Sequence, residues 1–307
     1  MKPALIGIEI GGTKTQVVLG DREGLIHRRW RAPVDPERGA EGIRENIRAA
    51  LDELAAEASP EAVGVGFGGP VYRDTGRIAL SYHISGWHDF AIREWLADLT
   101  GLPVAVDNDC NVAALGEAIK GAGAGAASMF YVTLGSGMGA GMVIGGKLYH
   151  GRMPGESEIG LMPFSPEGES VESHCCGWAV DRKVRGYAEA HPDSKLAGLL
   201  PGESGGEARF LRPALDGGCP GAHAILDELA GDLAFALSIA AHLFSPHLIV
   251  IGGGLSLVGE PLREAVAARL PGYMTEALKP GPPVALSTLK DDAVGTGALL
   301  LAARALG

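Results

Sequence analysis

Along residues 4–32 apolar and β-branched positions run in short stretches broken by Gly11-Gly12 and by Asp21 to Gly24, which predicts strand, glycine turn, strand, turn, strand. Residues 128–150 repeat that layout, with turns at Gly135-Ser136-Gly137 and Gly145-Gly146. Between the two meanders, Ile43, Ile47, Leu51 and Leu54 recur at helical spacing and predict a helix over Glu41–Ala58. A strand over Ala62–Phe67, a Gly-Gly-Pro turn and a helix over Phe90–Leu99 follow. The run LPVAVDND reads as a strand ending in acids, after which Asn108 or Asp109 caps a helix over Val112–Lys120.

The second meander leads into a helix over Trp178–Tyr187, then a Gly-, Pro- and acid-rich stretch from Asp193 to Pro220 that reads as loop with short helices. A long helix over Ala222–Phe244, the strand HLIVI, a turn at Gly252 to Gly254 and helices over Pro261–Leu270 and Val294–Leu306 complete the pattern. Two similar meanders, each followed by helix and strand units, predict an α/β protein of two related lobes, with each glycine turn aimed at a ligand cleft between them. The smaller lobe is expected at 1–112 with 294–307, and the larger at 113–293.

Composition sharpens this picture in three places. Glycine supplies 47 of 307 residues, about twice the usual share of roughly 7%, and clusters after apolar runs, as backbone-lined ligand loops require. The net charge of -11, with no local Lys or Arg block, argues against nucleic acid as a partner. Four cysteines form no disulfide framework, and the opening apolar run lacks a signal peptide's charged region, so a cytoplasmic protein is expected. The apolar run Leu233–Ile251 is broken by His242, Ser245, Pro246 and His247, so it reads as helix then strand and no membrane segment is expected.

Two familiar glycine motifs fail on context. Gly135 to Ala140 fits the dinucleotide spacing, but a strand follows it where a helix is needed. Gly141 to Lys147 has Walker spacing, yet Leu148 stands where a magnesium-binding hydroxyl belongs. A single tight turn needs glycine regardless of function. Two such turns at equivalent points of a repeat, each rich in N–H donors and hydroxyls, suit one polyphosphate gripped from both sides.

At this point the chain resembles the ROK sugar kinases, within the actin, Hsp70 and hexokinase fold superfamily of RNase H-like lobes. GIEIGGTKTQVVLGD is similar to the first phosphate loop, VTLGSGMGAG to the second, and IVIGGGLS to the adenosine loop. GFGGPVYRDTGRI, ISGW and VDNDCNVAALGE are similar to the sugar-side elements. The resemblance implies ATP held by Gly11, Gly12, Thr13, Lys14, Gly135, Ser136, Gly137, Gly253 and Gly254. It implies a hexose or hexose derivative held by Gly69, Asn108, Asp109, Glu158 and Glu172, with Asp109 as general base. Mg²⁺ would accompany ATP, reached through water by Glu9, which stands where the family has aspartate. His83 stands where the family usually has asparagine, and the family's homodimer is the expected assembly.

The family's zinc motif is missing: Leu161 replaces its histidine, and SPEGES stands where its cysteine run belongs. Adjacent Cys175 and Cys176 cannot both readily face one tetrahedral ion, so these and His174 are read as no replacement, the cysteines being small packing residues. No protein metal site is expected. Packing by Leu161, Met162, Phe164 and Trp178 is expected to hold the loop instead, with Glu156, Glu167 and Glu169 solvated. Two other classes share the superfamily, a non-catalytic sugar-binding regulator and a chaperone-like ATPase. Repressors of the former class carry a helix-turn-helix ahead of the first phosphate loop, where only a few residues stand here, yet Glu9 and Leu161 keep a non-catalytic sugar sensor as the alternative expectation; the latter class needs a peptide-binding domain, for which the length leaves no room.

Overall fold

The computed structural model describes residues 4–55, 58–82, 84–166, 168–202 and 204–306, so His83 and Glu167 lie outside the described residues. In chain order the elements are β1 (Ala4–Ile10), β2 (Lys14–Gly20), β3 (Ile26–Pro33), α1 (Gly39–Ala55), β4 (Pro60–Phe67), β5 (Val71–Tyr72), β6 (Arg77–Ile78), α2 (Ile92–Thr100), β7 (Val104–Asn108) and α3 (Asp109–Lys120). There follow β8 (Ser128–Leu134), β9 (Met138–Ile144), β10 (Lys147–Leu148), α4 (Val171–Cys175), α5 (Gly177–Ala190), α6 (Lys195–Leu199), α7 (Leu211–Asp216) and α8 (Pro220–Phe244). β11 (Leu248–Gly252), α9 (Glu260–Tyr273), β12 (Val284–Leu286) and α10 (Ala293–Arg304) end the series.

The two large sheets have the same order, β3-β2-β1-β4-β7 and β10-β9-β8-β11-β12, so the repeated meander of the sequence is a repeated sheet. In the first, β1 runs antiparallel to β2 and parallel to β4, and β4 parallel to β7. The chain divides into two compact units. One holds the residues up to Gly125, Gly141–Glu156 and those from Leu289 onward; the other holds Ala126–Ala140 and Ser157–Thr288. The sequence boundary at residue 112 therefore differs from the observed one, because it falls inside α3, a helix of the first unit.

The first sheet is covered on both faces. Ile6, Ile8 and Ile10 of β1 join Ile43, Ile47, Leu51 and Leu54 of α1 and Ile92 and Leu96 of α2 in one core. The intervening Leu5 joins Val18, Ala62, Leu299 and Ala302, which brings α10 onto the opposite face, as the two-residue period of a strand requires. That second face is lined with small residues. A Cβ at Gly64 would stand 1.9 Å from the Ala298 carbonyl oxygen, and one at Gly297 only 1.8 Å from that of Val112. Backbone approaches this close admit only glycine.

In the second unit, β8 and β11 pair in parallel, as do β11 and β12. The run 233–251 splits as its pattern predicts: α8 ends at Phe244, capped by Ser245 at a left-handed φ of 43°, and β11 begins at Leu248. Among the described residues no helix is long and apolar enough to cross a membrane.

Candidate active site

In the first unit the carboxyl ends of three parallel strands lie side by side, Ile10 beside Phe67 and Phe67 beside Asn108. Ligand-binding residues in open α/β sheets collect at such ends. Here they present Glu9, the Gly68-Gly69 turn, Asn108 and Asp109.

Asn108, with φ −62° and ψ 144°, is the N-cap of α3, and its Oδ1 accepts from the Cys110 and Asn111 N–H groups at 2.8 and 3.3 Å. The choice between Asn108 and Asp109 as cap is thus settled, and the helix begins three residues earlier than the apolar periodicity suggests. The other end of the Asn108 amide, Nδ2, donates to the Gly69 carbonyl at 3.2 Å, joining two residues expected on the sugar side. Asp109 is left free of capping. Its Oδ2 lies 3.3 Å from where a Cβ of Gly68 would stand, so that glycine keeps room beside the carboxylate. Burial raises the Asp109 carboxyl above the usual aspartate range, partly offset by hydrogen bonds from the Cys110 thiol and backbone.

Glu9 is 7% exposed and points from β1 to the same region. Burial pushes its pKa up to about 7, against the pull of Lys14, whose Nζ stands 3.2 Å away. Repulsion from Asp109 adds to the rise and Arg31 opposes it. Gln16, fully buried on β2, donates to Glu9 at 3.1 Å and accepts from Arg31, so it holds the carboxyl in place. Gln16 and Gly68 were not singled out from the sequence, because a polar strand residue and one glycine of a pair carry no distinctive spacing. The first glycine turn closes by a bond from the Gly11 N–H to the Lys14 carbonyl at 3.1 Å, with Gly12 half-buried and Thr13 exposed.

In the second unit, the Gly135 N–H bonds the Gly137 carbonyl at 2.9 Å, and the Gly177 N–H bonds the Gly135 carbonyl at 2.7 Å. Ser136 lies half-buried between them. Gly253, at φ 77°, lies against the same strand end, since a Cβ there would meet the Leu134 backbone at 2.6 Å, and Gly254 beside it is exposed. The structure therefore gathers Gly135, Ser136, Gly137, Gly253 and Gly254. Glu172 belongs with them: its Oε2 accepts from the Met138 N–H at 2.7 Å. Glu158 is half-buried and starts a short 3₁₀ turn, Ile159–Leu161, whose Gly160 abuts the Met138 carbonyl.

Two expectations about this loop need correction. Leu161 is 51% exposed and Trp178 49%, so neither is buried as packing of the loop would require. The loop is held instead by buried Ile159, Val171 and Cys175, by a backbone bond from Val171 to Met162 at 3.0 Å, and by Phe164. Phe164 stacks on His174 at 4.2 Å and meets Phe235 edge-on at 5.5 Å. Glu156 is the second correction, for its side chain is 8% exposed and not solvated. It accepts from Arg73 at 3.4 Å and from Asn111 at 3.3 Å, partners that are distant in sequence. Glu169 is exposed.

His174 is committed to Glu169 and Asp232, at 3.2 and 3.4 Å. Cys175 and Cys176 are buried, and burial pushes the Cys175 thiol up to about 12, which disfavours the thiolate a metal needs.

Strand-end carboxylates and glycine turns on two sheets of one order make this an α/β protein of repeated architecture, and comparison with known proteins gives its family. The model of the ROK family matches residues 5–305, and the chain belongs to that family. It is 32% identical to the glucokinase of Halalkalibacterium halodurans, over 96% of this chain and 94% of that one. The glucokinase of Thermotoga maritima is 33% identical over 86% and 87% of the two chains. The crystal structure of a ROK family glucokinase from Streptomyces griseus, in complex with glucose and AMPPNP, superposes with a TM-score of 0.88 at 32% identity, covering 98% of this chain and 99% of that chain.

Proposed function

We propose that this protein is an ATP-dependent kinase that phosphorylates a hydroxyl of a hexose, glucose being the first candidate. The observation that carries the reading is Asp109, a carboxylate with a raised pKa at the carboxyl ends of three parallel strands, next to an asparagine fixed as a helix cap. The glucokinase relatives and the glucose- and AMPPNP-bound neighbour support it.

In this mechanism Asn108, Gly69, Glu158 and Glu172 orient the sugar. Asp109 takes the proton of the attacking hydroxyl as that oxygen bonds to the γ-phosphorus; the bond from phosphorus to the β–γ bridging oxygen breaks, and ADP leaves. The raised Asp109 pKa makes it a stronger base once ionised. Gly11, Gly12, Thr13 and Lys14 bind phosphate oxygens, as do Gly135, Ser136 and Gly137, while Gly253 and Gly254 take the adenosine side. Glu9 fits a role toward Mg²⁺, because a buried carboxyl titrating near pH 7 has less positive charge around it than its anion needs. When bound with ATP, Mg²⁺ supplies neutralisation of charge on the phosphates.

ADP release measured over a panel of hexoses and their amino and N-acetyl derivatives tests the proposal. Turnover with a hexose dependent on ATP is expected. Sugar binding by calorimetry without ADP release from any member would instead favour a non-catalytic sugar sensor.

A further inference from the structure

Asp107, His150 and Glu156 come from three stretches of the first unit and meet beside the start of α3. The Nε2 of His150 lies 2.7 Å from Asp107 Oδ2. One ligand-type atom from each of the three lies within 4.8 Å of the other two. The carboxylates are buried, the Asp107 side chain 6% and the Glu156 side chain 8% exposed, while the His150 side chain retains 28%.

Asn111, itself 2% exposed, is directed into this group. Its Nδ2 donates to Asp107 Oδ1 at 2.9 Å and to Glu156 Oε1 at 3.3 Å, which leaves Oδ1 buried with no hydrogen-bond partner. An orphaned buried acceptor costs about 1–3 kcal/mol. The two ends of an amide are nearly identical in shape, so turning it by half a revolution exchanges them. The carbonyl oxygen would then face two carboxylate oxygens, an arrangement that is repulsive unless a cation sits among them.

We propose that Asp107, Glu156, His150 and the turned Asn111 amide bind one divalent first-row transition cation of the zinc type. Three oxygens and one imidazole nitrogen suit such an ion, and the two carboxylates balance its charge. The imidazole disfavours magnesium and calcium, which take oxygen donors. Tetrahedral ligands with bonds of 2.0–2.1 Å stand roughly 3.4 Å apart, so the His150–Asp107 pair, hydrogen-bonded at 2.7 Å, must part and lose its shared proton as the cation enters. Arg73, whose Nη1 lies 3.4 Å from Glu156 Oε1, is the positive charge with which the cation would share that oxygen. The site is structural. Asp107 Oδ1 also accepts from the Asn108 N–H at 2.8 Å, so the cation would stiffen the junction that carries Asn108 and Asp109.

The test uses the full chain, stripped with a chelator and titrated with Zn²⁺ by calorimetry. One zinc per chain is expected, with a rise in Tm. His150→Gln, which keeps a hydrogen-bond donor for Asp107, and Glu156→Gln should each weaken binding at least about tenfold, whereas His174→Ala should not. Without zinc, the His150→Gln protein should keep the circular dichroism and Tm of the stripped parent. Co²⁺ should give visible d–d bands without a thiolate charge-transfer band. Absence of stoichiometric binding at micromolar free Zn²⁺, full affinity in His150→Gln, or a thiolate band would each overturn the proposal.

Discussion

Glu9 and Asp109 put two carboxyls with raised pKa values into the same region of one unit, and each makes a separable prediction. Asp109→Asn keeps the shape but loses the base, so kcat should fall by about a hundredfold or more with Tm nearly unchanged; near-normal turnover would remove Asp109 from the mechanism. For Glu9 the pKa is raised from 4.5 to about 7, so the folded state binds a proton that the unfolded chain has released in that window. The contribution is fully present below pH 4.5 and is lost as pH rises through about 7, at most about 3 kcal/mol. Tm compared at pH 5 and pH 8 should therefore fall less in Glu9→Gln than in the parent. The same variant should need more Mg²⁺ for half-maximal turnover. The strand-to-helix junction that carries Asp109 was legible in the sequence, because an Asn-Asp pair after an apolar strand run marks a helix start, although only the structure gives the cap to Asn108. The group around Glu156 was not, since Arg73 and Asn111 reach it from 83 and 45 residues away and local composition is silent on such pairs.

At the scale of elements, the second glycine turn and α4 act as one piece. Glu172, on α4, accepts from the Met138 N–H, and a Cβ at Gly137 would stand 2.6 Å from its Oε2. In the proposed mechanism a carboxylate that fixes this turn bears on the nucleotide as well as on the sugar. Glu172→Ala should therefore raise KM for ATP as well as for sugar, each by about tenfold, equivalent to about 1.4 kcal/mol. Glu158→Ala should raise KM for sugar more than KM for ATP. An unchanged KM for ATP in Glu172→Ala would detach the turn from nucleotide binding. Strand and helix positions were legible here, because apolar periodicity sets them locally. The means of holding the loop was not: Leu161 and Trp178 are apolar yet exposed, and the stack of Phe164 on His174 joins side chains whose contact no periodicity encodes.

For the molecule as a whole, the repeated meander announced two sheets of one order, while the extents of the units were hidden because the chain leaves the first unit and returns to it twice. The last return is α10, seated on backbone through Gly64 and Gly297. Gly64→Ala should lower stability by about 1–3 kcal/mol or more, because the atom it meets is a carbonyl oxygen of a packed helix and cannot swing aside. Gly198→Ala, with open space around it in α6, should be neutral or slightly stabilising. Equal Tm values for the two variants would refute this account of the α10 contact.

That return also imposes an order on biosynthesis. The strands of the first sheet leave the ribosome early, but the helix that covers the face bearing Leu5 and Val18 is encoded at residues 293–304. Roughly 170 residues separate Gly125 from it, which at 5–20 residues per second is about ten to thirty seconds of translation. During that interval an apolar sheet face has no lid, so the nascent chain presents a surface for chaperones, and codons that slow translation between residues 126 and 288 would lengthen its exposure.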